Sequence, residues 1–250
     1  MTLLVTGASG YLGGELLRRT DAVGVSSADA DIRDARAVAA LFDRLSPEAV
    51  IHTAYRHDDR TTTFDGAANV AAAAAGARLV HVSTDVVFDG EKGAPYVEED
   101  EPAPLTDYGR AKADAERAVL AAHPGALVVR TSLIYGGPAP GPQERLAADP
   151  NASFFTDEVR CPIQVGDLAA ALIELASSRL SGVLHVAGAD RLSRAEFAEL
   201  LVGAPVHTAS IADSGLVRPR DCSLAIDRAL EVVGTRLRGA REVLKDRPDP

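Results

Sequence analysis

The sequence predicts an α/β fold in which helices cover both faces of a parallel sheet. Short apolar runs alternate with amphipathic helical segments from the N-terminal end to Arg130, and such βα alternation is typical of parallel sheets. The first apolar run is followed directly by a glycine-rich turn that opens a helix, as in the first unit of doubly wound sheets. From Ile134 the alternation weakens, which predicts a smaller and less regular second part.

The predicted strands are short, apolar and closed by glycine or polar residues. The run 3–6 ends at Gly7 and contains no alternating polar position, which indicates a strand buried on both faces. In the second predicted helix Asp34 is suited to cap the first turn, and Val38, Leu41 and Phe42 share one side. The predicted strands are 3–6, 22–25, 49–52, 79–83 and 126–130, and the helices are 11–19, 35–45, 64–75 and 107–122.

The second half has fewer clear signals. Residues 86–105 and 136–142 are rich in Gly, Pro or acidic residues and are expected to be loops, and Ser193 with Glu196 forms a capping box before a helix at 195–202. Further elements are expected at 165–177 (helix), 182–187 (strand), 224–233 and 240–244 (weak helices). We therefore predict a core at 1–133 and a small cap region at 134–250, interleaved with the last core elements at 165–188.

The composition excludes several classes of protein. The chain has 250 residues, 46% of them apolar, and a net charge of −10, which disfavours a nucleic-acid partner because phosphate binding needs a basic surface. The two cysteines, Cys161 and Cys222, suggest neither a disulfide framework nor a metal site. The sequence starts at once with a strand, so we expect no signal peptide or membrane span and a cytoplasmic location.

The glycine-rich turn predicts a Rossmann-type site for a nicotinamide dinucleotide. Gly7 permits the tight turn, Gly10 lets the backbone approach a pyrophosphate, and Gly13 permits close packing of the helix on the strand. Ordinary turn glycines are the alternative interpretation. The full set of residues expected to contact the cofactor is Gly7, Ser9, Gly10, Tyr11, Leu12, Gly13, Ser26, Asp31, Ile32, Thr53, Ala54, Tyr55 and Lys112.

The end of the second strand favours NADP(H) and leaves NAD(H) as the alternative. Ser26 stands where an Asp or Glu would bind the ribose 2′-hydroxyl, so no acid there repels a 2′-phosphate. No arginine lies nearby in the sequence to bind that phosphate. Asp31 and Ile32 fall where an adenine edge would be contacted, although this segment can equally be a solvated helix cap.

A hydroxyl residue and a Tyr/Lys pair predict hydride-transfer chemistry. Thr84 ends the fourth strand, where it can polarise a substrate carbonyl. Tyr108 and Lys112 are four residues apart on a helix and share one face, so the ammonium can favour the phenolate of a group whose free pKa is about 10. Tyr108 is then the proton donor or acceptor, and Lys112 also holds the nicotinamide ribose. A surface Tyr and Lys on a charged helix is the alternative.

Taken together, these motifs resemble the extended short-chain dehydrogenase/reductase superfamily, and within it the branch of the dTDP-4-dehydrorhamnose reductases. The resemblance rests on segments along nearly the whole chain. It implies a sugar-nucleotide reductase fold with Thr84, Tyr108 and Lys112 as the catalytic set. The segments that carry it are 82–90, 96–100, 108–112, 130–136, 156–162, 182–188 and 218–219.

The chain also departs from that family. The asparagine that orders a proton-relay water is missing from its expected place, where Thr63 and Asp65 stand, and Asn69 is too far along the helix. Arg160 replaces a glycine near the substrate, so it can pair with a diphosphate or carboxylate, or equally with Glu158 on the surface.

The substrate is expected at the carboxyl ends of the fourth and fifth strands, beneath the cap, with the segment 136–142 closing over it. The residues expected to contact it are Asp85, Val86, Arg160 and Arg218.

Two other functions stay open. One is a non-catalytic, NADP-binding regulatory subunit, like the partners of methionine adenosyltransferase. The other is a sugar-nucleotide epimerase or dehydratase, for which Asp85 is a candidate acid. We expect a small-molecule substrate and a monomer or homodimer.

Overall fold

The computed structural model describes residues 2–245, which divide into two compact units. Unit 1 contains the chain up to Thr84, Asp107–Arg130 and Ala169–Leu184. Unit 2 contains Asp85–Thr106, Thr131–Leu168 and the chain from His185 onward. The loop segment Asp85–Thr106 lies in unit 2.

Unit 1 is built on a six-stranded sheet with the order β10-β5-β4-β3-β1-β2, in which the neighbours among β1, β2, β3 and β4 pair in parallel. Its central strands are fully buried, as their unbroken apolar sequences predict. The predicted α/β parallel fold is confirmed. The strands are β1 (Leu3–Thr6), β2 (Val23–Val25), β3 (Ala49–His52), β4 (Arg78–Thr84), β5 (Leu127–Thr131) and β10 (Gly182–His185).

Helices pack on this sheet through small and branched apolar side chains. Asp34 caps the second helix by accepting hydrogen bonds from the backbone N–H groups of Arg36 (2.9 Å) and Ala37 (3.3 Å), as predicted. Val38, Leu41 and Val70 belong to the core cluster below these helices. The helices are α1 (Tyr11–Arg19), α2 (Ala35–Leu45), α3 (Gly66–Ala73), α4 (Asp107–Ala122) and α6 (Val165–Ala176).

One turn of unit 1 differs from the prediction. The helix expected to begin at Phe64 is preceded by a π-helical turn at Thr61–Asp65. The buried Thr63 hydroxyl donates to the Arg56 carbonyl (2.7 Å) and accepts from the Arg56 backbone N–H (3.2 Å). These two hydrogen bonds to one residue fix the turn to the loop after β3. Single π-helical turns occur frequently at functional sites.

Unit 2 consists of short elements around small apolar clusters. Two-stranded sheets pair β8 with β11 (antiparallel), β7 with β12 and β6 with β9 (both parallel). The expected loop 136–142 ends in a helix that starts at Pro142, the first helical position that proline favours. The elements are a 3₁₀ turn at Asp85–Val87, β6 (Ile134–Tyr135), α5 (Pro142–Ala147), β7 (Ser153–Phe155), β8 (Val159–Arg160), β9 (Ile163–Gln164), β11 (Leu192–Ser193), α7 (Arg194–Val202), β12 (His207–Ala209), α8 (Ile211–Ser214), α9 (Asp227–Val232) and α10 (Ala240–Lys245). Within residues 2–245 there is no helix whose length and apolar character would let it cross a membrane.

Candidate active site

The glycine loop joins β1 to α1 in a close-packed turn. Gly7 has φ +73°, and a Cβ there would lie 2.7 Å from the Ala54 nitrogen and from the Thr53 hydroxyl oxygen. A Cβ on Gly13 would lie 2.2 Å from the Gly7 carbonyl oxygen. These two positions therefore require glycine for the turn and for the approach of the helix. A Cβ on Gly10 would meet only the Gly7 carbonyl oxygen, at 3.1 Å, so Gly10 has another reason to lack a side chain.

That reason is a cavity of about 480 Å³ in unit 1, which begins at the glycine loop. The loop leads directly into the N-terminus of α1, and a helix N-terminus after a glycine-rich turn suits a phosphate. The volume lies in the range of small-molecule and cofactor sites. The residues present thus fit a dinucleotide, with the pyrophosphate at the loop. Of the residues predicted to contact the cofactor, the cavity is lined by Gly7, Ser9, Gly10, Ser26, Asp31, Ile32, Thr53, Ala54 and Tyr55.

The charged rim of this cavity differs from the sequence-based expectation. Arg33 and Arg56 line the same cavity as Ser26. The expectation that no arginine lies near Ser26 is therefore wrong for the folded chain. The fold brings residues after β2 and after β3 to one cavity, and the residues adjacent to position 26 in the sequence do not show this. The Arg33 guanidinium donates to both carboxylate oxygens of Asp31 and its backbone N–H to one of them, and these hydrogen bonds lower the pKa of Asp31 to about 2.

Asp29 is an acid bound to Ser26 for which we predicted no role from the sequence. Its carboxylate accepts hydrogen bonds from the backbone N–H (2.9 Å) and the hydroxyl (2.8 Å) of Ser26, and these bonds lower the pKa of Asp29. Asp29 therefore provides a negative charge close to Ser26. Its signal is the Ser-x-x-Asp spacing, which is typical of a turn closed by side chains.

Lys112 is buried, with 2% of its surface exposed, on the side of α4 that packs against β4. Its Nζ donates to the Val82 carbonyl (2.6 Å) and lies 3.5 Å from Nε2 of His81. Burial lowers the pKa of Lys112 to about 8, while the Glu116 carboxylate acts in the opposite direction. The predicted Lys112 thus sits beside the strand that ends in Thr84, two residues beyond Val82.

A buried polar network that the sequence analysis did not identify fixes α4 on the sheet. Glu116, one turn after Lys112, accepts from the Ser83 hydroxyl (2.5 Å) and pairs with the Arg130 guanidinium (2.8 Å). Both members of the ion pair are almost fully buried. Removing one partner of such a pair typically costs about 3–5 kcal/mol, so the network holds the helix in one register. The sequence does contain an indication of this network, because Glu116 is an acidic residue on the side of α4 that carries small apolar residues.

Tyr108 is half-buried at the start of α4 and has two aromatic neighbours from the loop after β3. The His57 ring stacks on the Tyr108 ring with a centroid distance of 4.4 Å and an interplanar angle of 17°. The Tyr55 ring lies 5.7 Å from it, and the two phenol groups are hydrogen-bonded. From the sequence we predicted that Tyr55 contacts the cofactor, and we predicted no role for His57.

Asp85 and Arg160 belong to a buried ionic network in unit 2. The Asp85 carboxylate accepts from the Ser132 hydroxyl (2.6 Å), and the Arg160 Nε lies 3.7 Å from it. The Arg160 guanidinium also pairs with Glu158 (3.2 Å), as one interpretation expected, but the pair is buried and not on the surface. Arg160 further donates to three backbone carbonyls, those of Val159, Pro219 and Arg220.

Arg218 differs from Arg160 in its exposure. Its guanidinium donates to both carboxylate oxygens of Glu158 (2.6 and 3.1 Å), while 40% of the side chain stays exposed. The pKa of Glu158 is lowered: burial acts to raise it, but the hydrogen bond from Arg218 and the charges of Arg160 and Arg218 outweigh burial. Of the two predicted anion ligands, Arg218 has access to solvent and Arg160 does not.

We expect Arg160→Ala to destabilise the protein by roughly 3–5 kcal/mol, because it removes the buried positive charge beside Asp85 and Glu158 and a donor to three backbone carbonyls. The unfolding midpoint in urea measures this. Arg218→Ala is the matched control and should shift the midpoint less, since Arg218 is partly exposed. An unchanged midpoint for Arg160→Ala together with a raised KM for an anionic substrate would instead support direct substrate contact.

The fold, the glycine cradle and the Tyr/Lys helix together define a Rossmann-type protein built for a dinucleotide. The family described as RmlD substrate binding domain matches residues 1–247. The chain belongs to this family, and the predicted resemblance is confirmed.

Relatives of different function are similar over most of the chain. The dTDP-4-dehydrorhamnose reductase of Mycobacterium tuberculosis (strain CDC 1551 / Oshkosh) is 36% identical over 77% of this chain and 71% of its own length. The methionine adenosyltransferase 2 subunit beta of Pongo abelii is 31% identical over 93% of this chain and 82% of its own length. The crystal structure of dTDP-4-dehydrorhamnose reductase from Bacillus anthracis str. Ames in complex with NADP has a TM-score of 0.89 and 27% identity, covering 98% of both chains.

Proposed function

We propose that this chain is an NADP(H)-dependent reductase of a keto group on a nucleotide-linked sugar. Its predicted class, an NAD(P)-dependent oxidoreductase of the short-chain dehydrogenase/reductase type, is confirmed by the reductases among its relatives. NADP(H) is the favoured cofactor and NAD(H) the alternative, as predicted. The B. anthracis reductase of the same fold was solved with NADP.

The observation that carries the proposal is the position of Lys112. Its Nζ is held against the Val82 carbonyl of β4, in the unit that also contains the glycine cradle. Tyr108 lies one helical turn earlier on α4, and Thr84 lies two residues after Val82. A regulatory protein that only binds nucleotide has no need for a buried lysine beside this strand, because burying an ammonium group is costly.

Each residue of the set has a distinct role in the proposal. When bound, the nicotinamide supplies the hydride. Thr84 donates a hydrogen bond to the substrate carbonyl, and Tyr108 gives its phenolic proton to the oxygen as negative charge develops there. Lys112 holds the ribose and favours the phenolate through its charge.

For the substrate, we propose an anionic sugar nucleotide with Arg218 as its basic contact. An arginine–phosphate pair is charge-assisted and often bidentate, and the Arg218 guanidinium is partly exposed. Asp85 and Val86 remain candidates for substrate contact. Arg160 is better assigned to holding this region together, since its guanidinium is engaged by buried carboxylates and carbonyls.

The proposal is tested by initial rates of NADPH oxidation with a small panel of ketones. The panel comprises dTDP-4-dehydrorhamnose, a UDP-linked 4-keto sugar and a neutral cyclic ketone. We expect turnover with at least one sugar nucleotide. Bound NADPH that is not oxidised by any of the three compounds would overturn the proposal and favour a regulatory role.

A regulatory subunit remains the second candidate, because the methionine adenosyltransferase subunit is similar over 93% of this chain. It predicts NADPH binding without oxidation of the cofactor, in the wild type as in Tyr108→Phe. An epimerase or dehydratase is less well supported, since the carboxylate of Asp85 is already engaged by Ser132 and lies near Arg160.

We further propose a cytoplasmic monomer or homodimer without a nucleic-acid partner. Both cysteines are free thiols, as is usual in the cytoplasm, and the net charge of −10 disfavours phosphate binding.

We expect NADPH to bind at least as tightly as NADH. Arg33 lines the same cavity as Ser26, and its guanidinium, which also binds Asp31, offers a charge-assisted hydrogen bond to a 2′-phosphate, so Arg33→Ala should weaken NADPH binding by roughly 10-fold and NADH binding less. Fluorescence titration of both cofactors measures this. Arg36→Ala, an exposed position outside the described lining of the cavity, is the matched control. A clear preference for NADH would show that Asp29, and not Ser26, decides the selectivity.

A further inference from the structure

The loop after β3 places the phenol of Tyr55 next to the phenol of Tyr108. Tyr55 and Tyr108 are hydrogen-bonded through their hydroxyl groups, and their rings are 5.7 Å apart at 42°. Tyr55 also lines the cavity that begins at the glycine loop, and it is half exposed. Its hydroxyl therefore connects Tyr108 to a solvent-accessible space.

The position of Tyr55 is fixed by its neighbours on both sides. Before it, the Thr53 hydroxyl donates to the Thr6 carbonyl (2.7 Å). After it, Thr63 binds both backbone groups of Arg56 through the π-helical turn. His57 stacks on Tyr108 at 4.4 Å and limits the rotation of the ring. The loop thus presents Tyr55 to Tyr108 in a defined geometry.

This arrangement stands where the chain departs from its family. The resemblance implies an asparagine that orders a proton-relay water at the place of Thr63, and in this chain Thr63 anchors the loop of Tyr55. A reductase with a phenolic acid must recover a proton after each turnover, since the phenol has lost one to the product. A hydroxyl in direct contact with Tyr108 can supply it.

We propose that Tyr55 is a positioning residue that holds Tyr108 and returns a proton to it from solvent, in place of the asparagine-bound water of the family. This inference rests on the proposed function. Burial raises the pKa of Tyr55, so its hydroxyl is protonated at neutral pH and available to donate.

The relay restores both phenols in every turnover. Hydride adds to the carbonyl carbon, and the electron pair of the C=O bond moves to the oxygen, which takes the proton of Tyr108. Tyr55 then gives its proton to the Tyr108 phenolate and regains one from water in the cavity. The sugar is reduced, the cofactor is oxidised, and the proton consumed comes from solvent.

Tyr55→Phe keeps the ring and removes only the hydroxyl. We expect kcat to fall by roughly 10- to 100-fold, less than the full general-acid contribution of ~100- to 10,000-fold, with KM for NADPH unchanged. In a Tyr108→Phe background the same substitution should have no further effect, because the relay acts only through Tyr108. Rates are measured with dTDP-4-dehydrorhamnose or the panel member that gives turnover.

A second readout does not depend on activity. The chain has five tyrosines, so labelling with carbon-13 at the phenol carbon gives five signals that single Tyr→Phe variants assign. We expect the titration of Tyr108 to shift in Tyr55→Phe and to stay unchanged in Tyr96→Phe, whose hydroxyl binds Asp89 in unit 2 (2.6 Å). The charged and titratable neighbours are Lys112, with Nζ 5.8 Å from the Tyr55 ring centroid, and Arg56 and His57 of the loop.

The outcomes separate this inference from the proposed function. If Tyr108→Phe is inactive while Tyr55→Phe has normal kcat, or if the Tyr108 titration is the same in Tyr55→Phe, the relay is wrong and the reductase proposal stands. An additive loss in the double variant would assign Tyr55 a merely structural role and likewise overturn the relay. If Tyr108→Phe keeps full activity, the proposed function itself fails.

Discussion

Replacing Tyr108 by phenylalanine should reduce turnover by ~100- to 10,000-fold, the usual contribution of a general acid. The substitution keeps the ring that stacks on His57 at 4.4 Å, so the helix and the loop after β3 keep their packing. It removes the proton that the substrate oxygen needs. NADPH affinity should persist, because the glycine cradle and the cavity are untouched. Steady-state rates and a cofactor titration on the same preparation measure the two effects.

The control is Tyr96→Phe, which removes the hydroxyl of another largely buried tyrosine that is not part of the candidate site. It should leave kcat close to that of the wild type. Full activity of Tyr108→Phe would contradict the hydride-transfer assignment and favour the regulatory subunit. Loss of both turnover and NADPH binding would show that the phenol supports the cofactor site and not only the proton transfer.

Gly10→Leu should abolish measurable NADPH binding, with a loss of at least ~100-fold. Gly10 has an extended conformation (φ −78°, ψ 169°) that any residue can adopt, and a Cβ there meets only the Gly7 carbonyl oxygen at 3.1 Å. The side chain would therefore leave the turn intact but fill the space where the pyrophosphate approaches. Losing one or two charge-assisted hydrogen bonds of the cradle, at ~1.5–3 kcal/mol each, accounts for the expected factor.

Gly14→Ala serves as the control for Gly10→Leu. Its Cβ would lie on α1, 4.0 Å from its nearest neighbour outside the helix backbone, the Ala8 carbonyl oxygen. Binding should be unchanged, and the helix should gain up to ~1 kcal/mol from the better helix former. A Gly10→Leu variant that melts like the wild type and binds NADPH with unchanged affinity would show that the cofactor does not use this loop.

Much of unit 1 could be predicted from the sequence because its signals are local. β1 and β3 are unbroken apolar runs that coincide with the predicted ranges, and α2 is capped by the predicted Asp34. The π-helical turn at Thr61–Asp65 could not be predicted, because it depends on hydrogen bonds from Thr63 to a residue seven positions earlier. No local propensity encodes such a contact.

Unit 2 was harder to predict for a related reason. Its strands have only two or three residues, too few to show a period, and they are fixed by pairing with distant segments, as when Leu192 lies opposite Arg160. The burial of Arg160 follows from that pairing and from the carbonyls of Pro219 and Arg220. The sequence therefore indicated a basic residue near a family motif, but not that its charge is satisfied inside the fold.

The candidate site was predicted in part. The Gly7–Gly13 loop and the Tyr108/Lys112 spacing are patterns within short segments, so they could be identified from the sequence. The contacts of Tyr108 with Tyr55 and His57 join segments that are about fifty residues apart, and the anchoring of Glu116 by Ser83 and Arg130 joins three elements. Such contacts follow only from the three-dimensional arrangement.

The central claim, reduction of a sugar keto group by hydride from NADPH, is tested most directly by isotope transfer. NADPH carrying deuterium at the transferable position is incubated with the protein and dTDP-4-dehydrorhamnose, and the sugar nucleotide is analysed by mass spectrometry. We expect a reduced sugar that carries the deuterium, formed together with NADP⁺, and at least ~100-fold less of this product with Tyr108→Phe at the same protein concentration and time. Cofactor that stays bound and deuterated while the sugar is unchanged would contradict it.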